Sequence, residues 1–463
     1  MDAYVSGYAA CPKSLLSEGQ VAKLKRMATV TPRSFNDEPV DDILGWRESD
    51  NYLYLPVARG VEMLKQMGVV HVFKDKTSLG SKIEVPRLPD PYHPDASPGQ
   101  AQFMEDVLAA VQDRHAILGK AGTGNGKTVV ALWTIAMLGR TALIVVPGAT
   151  LANNWKDEIK KHLGLDDSEI GWIQQKKCDF RGKKVVIAVV HSLCRRAYPP
   201  AFYQAFGTVV YDEVHSMAAA TFSKTLGKLT ARYKMAFSAT PTRKDGCENV
   251  FLNYFGSDIV DCKEDKPLEC DAYIVDYQLP FPKDSFPESP SIALNILSKL
   301  KTRNQLITKW IGRLYAKKRT IIVMSDRIEQ LHLLRDWTHA QFGVPMEEMA
   351  MYAAQKIVNG KRVRVTQNEL QTLKKRGSIR IYFTTYGIFK QGENIPRLDA
   401  GIEATPRADG IQPPGRIRRR RPGKSRPVWV SIRDNGSWLL MRRAKSRIKE
   451  FQQAHIKIKY ANG

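Results

Sequence analysis

The stretch Ala121-Gly-Thr-Gly-Asn-Gly-Lys-Thr128 constrains this chain more than any other. It follows a short apolar run, His115-Ala-Ile-Leu118, and precedes a helical pattern, Val129-Val-Ala-Leu-Trp-Thr-Ile-Ala-Met-Leu138. Strand, glycine loop and helix in that order form the setting in which a backbone cradles phosphate. Gly122, Gly124 and Gly126 let the chain turn tightly, so that the loop Ala121, Gly122, Thr123, Gly124, Asn125, Gly126 can aim N–H groups at phosphate oxygens. The helix N-terminus adds a positive dipole end. Lys127 is placed to reach the β- and γ-phosphates of a bound ATP, and the Thr128 hydroxyl to hold Mg²⁺. The bland alternative is a plain glycine turn.

Around this loop the chain reads as α/β. Gln100, Phe103, Met104, Val107, Leu108 and Val111 recur at helical spacing before it. After it, helical stretches alternate with apolar runs at 142–147, 185–190, 208–211 and 235–237. Such continuous runs predict a parallel sheet covered on both faces. Thr320-Ile-Ile-Val-Met324 and Ile379-Arg-Ile-Tyr-Phe383 predict strands of a second lobe, with Ser325 as a helix cap. Asn359-Gly360 marks a hairpin, read first as an ordinary surface turn and alternatively as a strand-guiding wedge. Residues 1–95 read as a small α+β module. Ser17 caps a helix, Tyr52–Pro56 and Val69–Phe73 are predicted strands, and the proline-rich 86–94 is an extended linker. The expected layout is 1–95 as an accessory module, either DNA-recognising or merely structural, 96–258 as first lobe and 259–463 as second lobe with a basic tail.

The 463 residues carry a formal net charge of +24, which points to nucleic acid as partner. Six cysteines show neither paired nor zinc spacing, so reduced thiols are expected. No stretch is long and apolar enough to span a membrane, and the reading is a cytoplasmic protein acting as a monomer.

Two further constellations carry chemistry. Tyr211-Asp-Glu-Val-His215 follows an apolar run. Asp212 is placed to hold Mg²⁺, Glu213 to act as base toward water, and His215 to connect this site to the rest of the lobe. Ser238-Ala-Thr240 follows the next run and could relay the γ-phosphate state, though such a triplet is more often an ordinary loop. Gln412-Pro-Pro-Gly-Arg-Ile-Arg-Arg419 then places Arg416 and Arg419 on one helical face, where arginines can serve as fingers on a γ-phosphate. Arg418, Arg420, Arg421, Lys424 and Arg426 around them read as contacts to phosphate backbone or solvent.

These residues resemble superfamily 2 helicases of the DExH type over about 97–430. Ala121–Thr128 is similar to that family's motif I, Pro147–Trp155 to Ia and Asp212–His215 to II. Ser238–Thr240 is similar to motif III, Thr384–Pro396 to V and Gln412–Arg419 to VI. The resemblance is greatest to the branch of XPB and the UvsW-like branch-migration helicases. It implies two tandem RecA-like lobes and an ATP- and Mg²⁺-dependent DNA helicase or translocase. The implied task is to unwind or branch-migrate forked and junction DNA in replication, recombination or repair. A duplex translocase or RNA helicase with the same motor is the alternative; a non-hydrolysing DNA-binding protein is the alternative of another class. The resemblance implies adenine recognition by Gln100, with Gln102 as substitute, and nucleotide contacts from Gln412. It implies ribose contacts from Gly392 and Asn394. For the nucleic-acid backbone it implies Thr150, Asn154, Trp155, Thr384 and Thr385. Ser192 joins them, because Val189 stands where relatives carry threonine.

Overall fold

A computed structural model describes every residue outside 34–40, 94–95, 97–98, 123–125, 218–222, 224, 240, 242–245, 264–267, 283–284, 288, 359–360, 367–368, 371, 374–375, 391–394, 396, 408–411, 419–423 and 463. The chain divides into two compact units, Met1–Asp265 and Lys266–Gly463.

In the first unit the apolar runs pair as expected. The sheet order is Lys177–Asp179, Ile170–Gln174, Val185–Val189, Ala142–Val146, Thr208–Asp212, Tyr233–Ser238, Ala116–Lys120 and Ile259–Asp261. All neighbours are parallel except the first pair. Alternate side chains feed two cores. Ile117, Ile144, Val146 and Ile187 meet the helices Gln100–Arg114, Lys127–Leu138 and Ala149–Leu163. Leu118, Leu143, Val145 and Val186 meet Phe202 and the helix Glu248–Phe255. Burial on both faces explains why the strands lack polar alternation.

The same unit holds the N-terminal sheet, in the order Arg47–Glu48, Tyr52–Pro56, Tyr8–Pro12, Tyr4–Val5, Lys74–Asp75. Ser17 does cap the helix Glu18–Met27, exchanging bonds with Gln20 in a capping box. Val69–Phe73 is not a strand. It follows Gly68 in the left-handed region (φ 68°), and Val72 is 83% exposed; the strand begins at Lys74. The stretch 78–87 is extended but fastened. Ile83 N–H donates to Gly139 O and Arg87 N–H to Leu163 O, while Ser78 N–H donates to Thr230 O and Ser78 O accepts from Arg232 N–H. The Lys234 ammonium donates to Ala231 O and Ser6 O, tying the N-terminal sheet to the lobe from inside.

The second unit is one parallel sheet in the order Met349–Tyr352, Ile381–Thr384, Ile321–Met324, Ala400–Glu403, Val428–Asn435, Asp271–Gln278, Lys457–Asn462. Ser325 stands two residues ahead of the cap position: the helix is Ile328–Phe342, and Ser325 accepts from Arg327 N–H and donates to Gln330. The hairpin pairs Gln355–Val358 with Lys361–Arg364, its Asn359-Gly360 tip lying outside the described residues. Arg303 and Asp434 are both fully buried. Nε and Nη2 donate to the carboxylate at 2.6 and 3.0 Å, and Nη1 to Ala404 O. Removing one member strands the other charge in a dry core. Asp434→Ala is therefore expected to destabilise this unit by about 3–5 kcal/mol, read as a lowered denaturation midpoint.

Candidate nucleotide site

The phosphate loop opens from the carboxyl end of Ala116–Lys120, next to a strand-order crossover, where open α/β sheets bind ligands. Ala121 is buried, and its N–H donates to Ser238 O at 3.3 Å. Gly126 is left-handed (φ 69°), and a Cβ there would lie 2.5 Å from the Gln100 amide. Glycine thus serves here both the turn and a close approach. The approach also separates two candidates: Gln100 is buried against the loop, whereas Gln102 is exposed and donates to Asp106 at 2.9 Å. Lys127 begins the helix and donates to Ala121 O at 3.1 Å and Gly122 O at 3.4 Å. Thr128, half-buried, occupies the helix's first turn. Thr123, Gly124 and Asn125 lie outside the described residues.

Asp212 closes the strand Thr208–Asp212, which is separated from Ala116–Lys120 by Tyr233–Ser238, and is buried. Its carboxylate accepts from Trp155 Nε1 at 2.9 Å and from Glu213 N–H at 2.9 Å. Glu213 takes a left-handed turn (φ 52°), costly for a side-chain-bearing residue and typical of functional loops. His215 Nδ1 lies 3.0 Å from Ser238 Oγ and 3.4 Å from Glu213 Oε2. One polar chain therefore runs from Trp155 through Asp212, Glu213 and His215 to Ser238, and from Ser238 O back to the phosphate loop. The sequence marks Ser238 only weakly; its place in this chain comes from pairing of the strands Thr208–Asp212 and Tyr233–Ser238.

Burial pushes the Asp212 carboxyl up to about 6. The Glu213 charge adds to the shift, while Lys127 and the Trp155 bond oppose it. The ionised form is disfavoured in the fold, so stability is lost as pH rises from the ordinary value of 3.8 to about 6, and stays lost above. Asp212→Asn removes this cost and keeps an acceptor for Trp155, but loses the oxygen that accepts from Glu213 N–H. Without nucleotide, the variant is expected to melt above the parent at pH 7–8, by at most about 2–3 kcal/mol at two pKa units. The gap should close as pH falls toward 4 in a melting series.

Several residues expected on nucleic acid are engaged within the fold. Trp155 is 2% exposed, because its indole packs in the core and spends its donor on Asp212. Ser192 is buried and accepts from Gln175 N–H at 2.9 Å. Thr384 is buried at a strand end and donates to Thr385 O. Thr150, Asn154 and Thr385 are half-buried.

In the second unit Arg416 is buried in the short helix Gln412–Ile417, its guanidinium 5.1 Å from the Phe389 ring centroid. Arg418, expected on phosphate or solvent, instead donates to Leu268 O and Ala454 O, each at 2.9 Å. Arg426 pairs with Glu269 and Asp271. Gly392, Asn394, Arg419 and Thr240 lie outside the described residues, as does the side chain of Gln412. Sequence reading missed a cluster at the strand ends of this unit. Arg407 pairs with Asp326 and stacks over Tyr386 at 4.5 Å, and Tyr386 donates to Thr405 O. Arg407 lies 81 residues from Asp326, so no local pattern announces the cluster.

Residues 94–243 match the family described as "Type III restriction enzyme, res subunit". The chain is 25% identical, over 96% of its own length and 84% of the other's, to "Putative ATP-dependent RNA helicase L396" of Acanthamoeba polyphaga mimivirus. It is 31% identical to "DNA 3'-5' helicase XPB" of Kineococcus radiotolerans over 155 residues, which are 33% of this chain and 28% of that one. It spans only 51% and 41% of two further viral and phage helicases. The solved DEAD-box helicase Mss116 bound to ssRNA and UDP-BeF aligns at TM-score 0.55 and 16% identity, over 79% of this chain and 75% of that one, a likeness of fold. The chain is thus similar to proteins named helicases over most of its length, and its two units share the α/β fold, with parallel sheets, of RecA-like helicase lobes. Among the described residues no helix is long and apolar enough to cross a membrane.

Proposed function

We propose that this protein is an ATP-driven DNA motor that unwinds or branch-migrates forked and junction DNA, with 1–95 as accessory module and one motor lobe in each compact unit; the boundary expected at 258 moves past Ile259–Asp261, which pairs with Ala116–Lys120. The observation that carries the motor reading is the buried Asp212 carboxylate, held by Trp155 and coupled through Glu213, His215 and Ser238 to the loop that bears Lys127. A buried acid without a cation is costly, so the donor set suits Mg²⁺ beside a triphosphate. Mg²⁺, held by Asp212 and Thr128, would supply neutralising charge to the β- and γ-oxygens.

The chain's own residues supply the rest. Lys127 and the loop N–H groups hold the phosphates, and Gln100 reads adenine beside Gly126. Gly392, Asn394 and Gln412 hold the nucleoside and phosphate from the second lobe. Glu213 takes the proton of the attacking water. Arg416 and Arg419 stabilise charge on the γ-phosphate as the lobes close. His215 and Ser238 pass the phosphate state to the lobe. Thr150, Asn154 and Thr385 are the remaining candidates for gripping backbone phosphates, and a grip that differs between nucleotide states moves the strand.

The net charge of +24 favours a polyanionic track. Strand displacement is expected to be faster on forks and four-way junctions than on tailed duplexes; equal rates would sink the junction reading. One observation favours a second reading: the relative aligned over most of both chains is named an RNA helicase. Turnover stimulated by RNA and not by DNA would select it.

A further inference from the structure

The N-terminal sheet has two unlike faces. Ala9, Cys11, Leu53 and Leu55 are buried, and the helix Val57–Gln66 lies on that side, where a Cβ at Gly60 would meet Leu55 and Ala9. The opposite face carries tyrosines. Strand register places Arg47, Tyr54, Ala10, Tyr4 and Lys74 in one row across all five strands, with Tyr52 two residues along from Tyr54. Ring centroids are 5.5 Å apart for Tyr4 and Tyr52, 6.1 Å for Tyr52 and Tyr54, and 6.3 Å for Tyr54 and Tyr8. Tyr8 ends the series against the lobe: it packs on Tyr254 at 6.0 Å, and its ring tip rests on Gly227, where a Cβ would lie 1.9 Å away. The outer three rings are thereby held in a fixed relation to the lobe that carries the phosphate loop, yet each stays half-exposed.

The rim is cationic. Lys76 Nζ sits 4.1 Å from the Tyr4 ring, and the Arg47 guanidinium 5.7 Å from the Tyr8 ring. Neither has a carboxylate partner within 4 Å among the described residues, whereas Asp2 is engaged by Lys74 and Glu48 by Lys13 and Lys25. Fixed aromatic faces on a sheet with free cations alongside are the chemistry that stacks unpaired bases and holds the phosphates between them. A duplex, whose bases are already stacked, cannot use the rings. We propose that this face binds single-stranded DNA, stacking two or three unpaired bases on Tyr4, Tyr52 and Tyr54 with Arg47 and Lys76 on flanking phosphates. The choice of DNA over RNA rests on the function proposed above.

The test uses the full chain and a fluorescent fifteen-residue oligothymidylate, read by anisotropy without nucleotide. Tyr52→Ala/Tyr54→Ala is expected to weaken binding at least about tenfold, from the stacking energy of a base on an aromatic ring. Tyr52→Phe/Tyr54→Phe should stay within about twofold, and nucleic-acid-free ATP turnover should be unchanged in both. The salt slope should survive the tyrosine changes and fall by about 0.7 for each of Arg47→Ala and Lys76→Ala. Irradiating an iodouracil-substituted strand on the unaltered protein should give crosslinks at Tyr4, Tyr52 or Tyr54. Unchanged affinity in the alanine pair, equal loss in the phenylalanine pair, or crosslinks confined to other segments would overturn the proposal. Tighter binding of oligouridylate through the same tyrosines would overturn the choice of DNA. Failure of the motor reading shows separately, as absent nucleic-acid stimulation in the unaltered protein.

Discussion

Lys127→Ala is expected to lower nucleic-acid-stimulated ATP hydrolysis by about 10²–10³-fold, the usual cost of losing one preorganised donor to developing charge. Lys127 stands at the head of its helix and already reaches two loop carbonyls, so in the proposed motor its ammonium is poised to meet the phosphates. Alanine keeps helix propensity, so the melting temperature should move little while steady-state turnover collapses. A Lys127→Ala protein that hydrolyses ATP like the parent would take the loop out of the mechanism.

The second large effect belongs to Arg416. If it closes on the γ-phosphate, Arg416→Ala should reduce turnover by about 10³–10⁵-fold. Nucleotide affinity should change far less, since a finger acts on the transition state. The guanidinium also stacks near Phe389 in a buried setting, so a structural role must be told apart. Arg416→Lys keeps the charge but loses the planar fork. A finger therefore predicts that lysine restores folding but little turnover. A purely structural arginine predicts loss of melting temperature in step with activity and recovery of both in the lysine variant. Rapid-quench turnover beside a melting curve separates the two.

What was legible in the sequence follows from distance along the chain. Val185–Val189 and Ala142–Val146 declare themselves because a strand buried on both faces has no polar positions to confuse the pattern. The strand Ala116–Lys120 and helix Lys127–Leu138 that flank the glycine run are legible because their pattern is local. Val69–Phe73 misled because an apolar run is only half of a strand; the other half is an edge to pair with, and here pairing starts at Lys74. Trp155 and Asp212 are 57 residues apart, so no spacing shows that the indole serves the carboxylate. Arg418 reads as one more cation in a basic run, yet two backbone carbonyls from distant segments claim it. The Tyr52-Leu-Tyr-Leu alternation does show in sequence which residues share a face. That Tyr4 and Tyr8 complete the aromatic row depends on the order of five strands.

The central claim is that this site couples ATP hydrolysis to a nucleic-acid track. The most direct measurement is the steady-state ATPase rate of the purified full chain, alone and with single-stranded, duplex, forked and four-way-junction DNA and with RNA. The account predicts a low rate alone and strong stimulation by DNA, greatest with forks and junctions. A rate that no nucleic acid changes would contradict it.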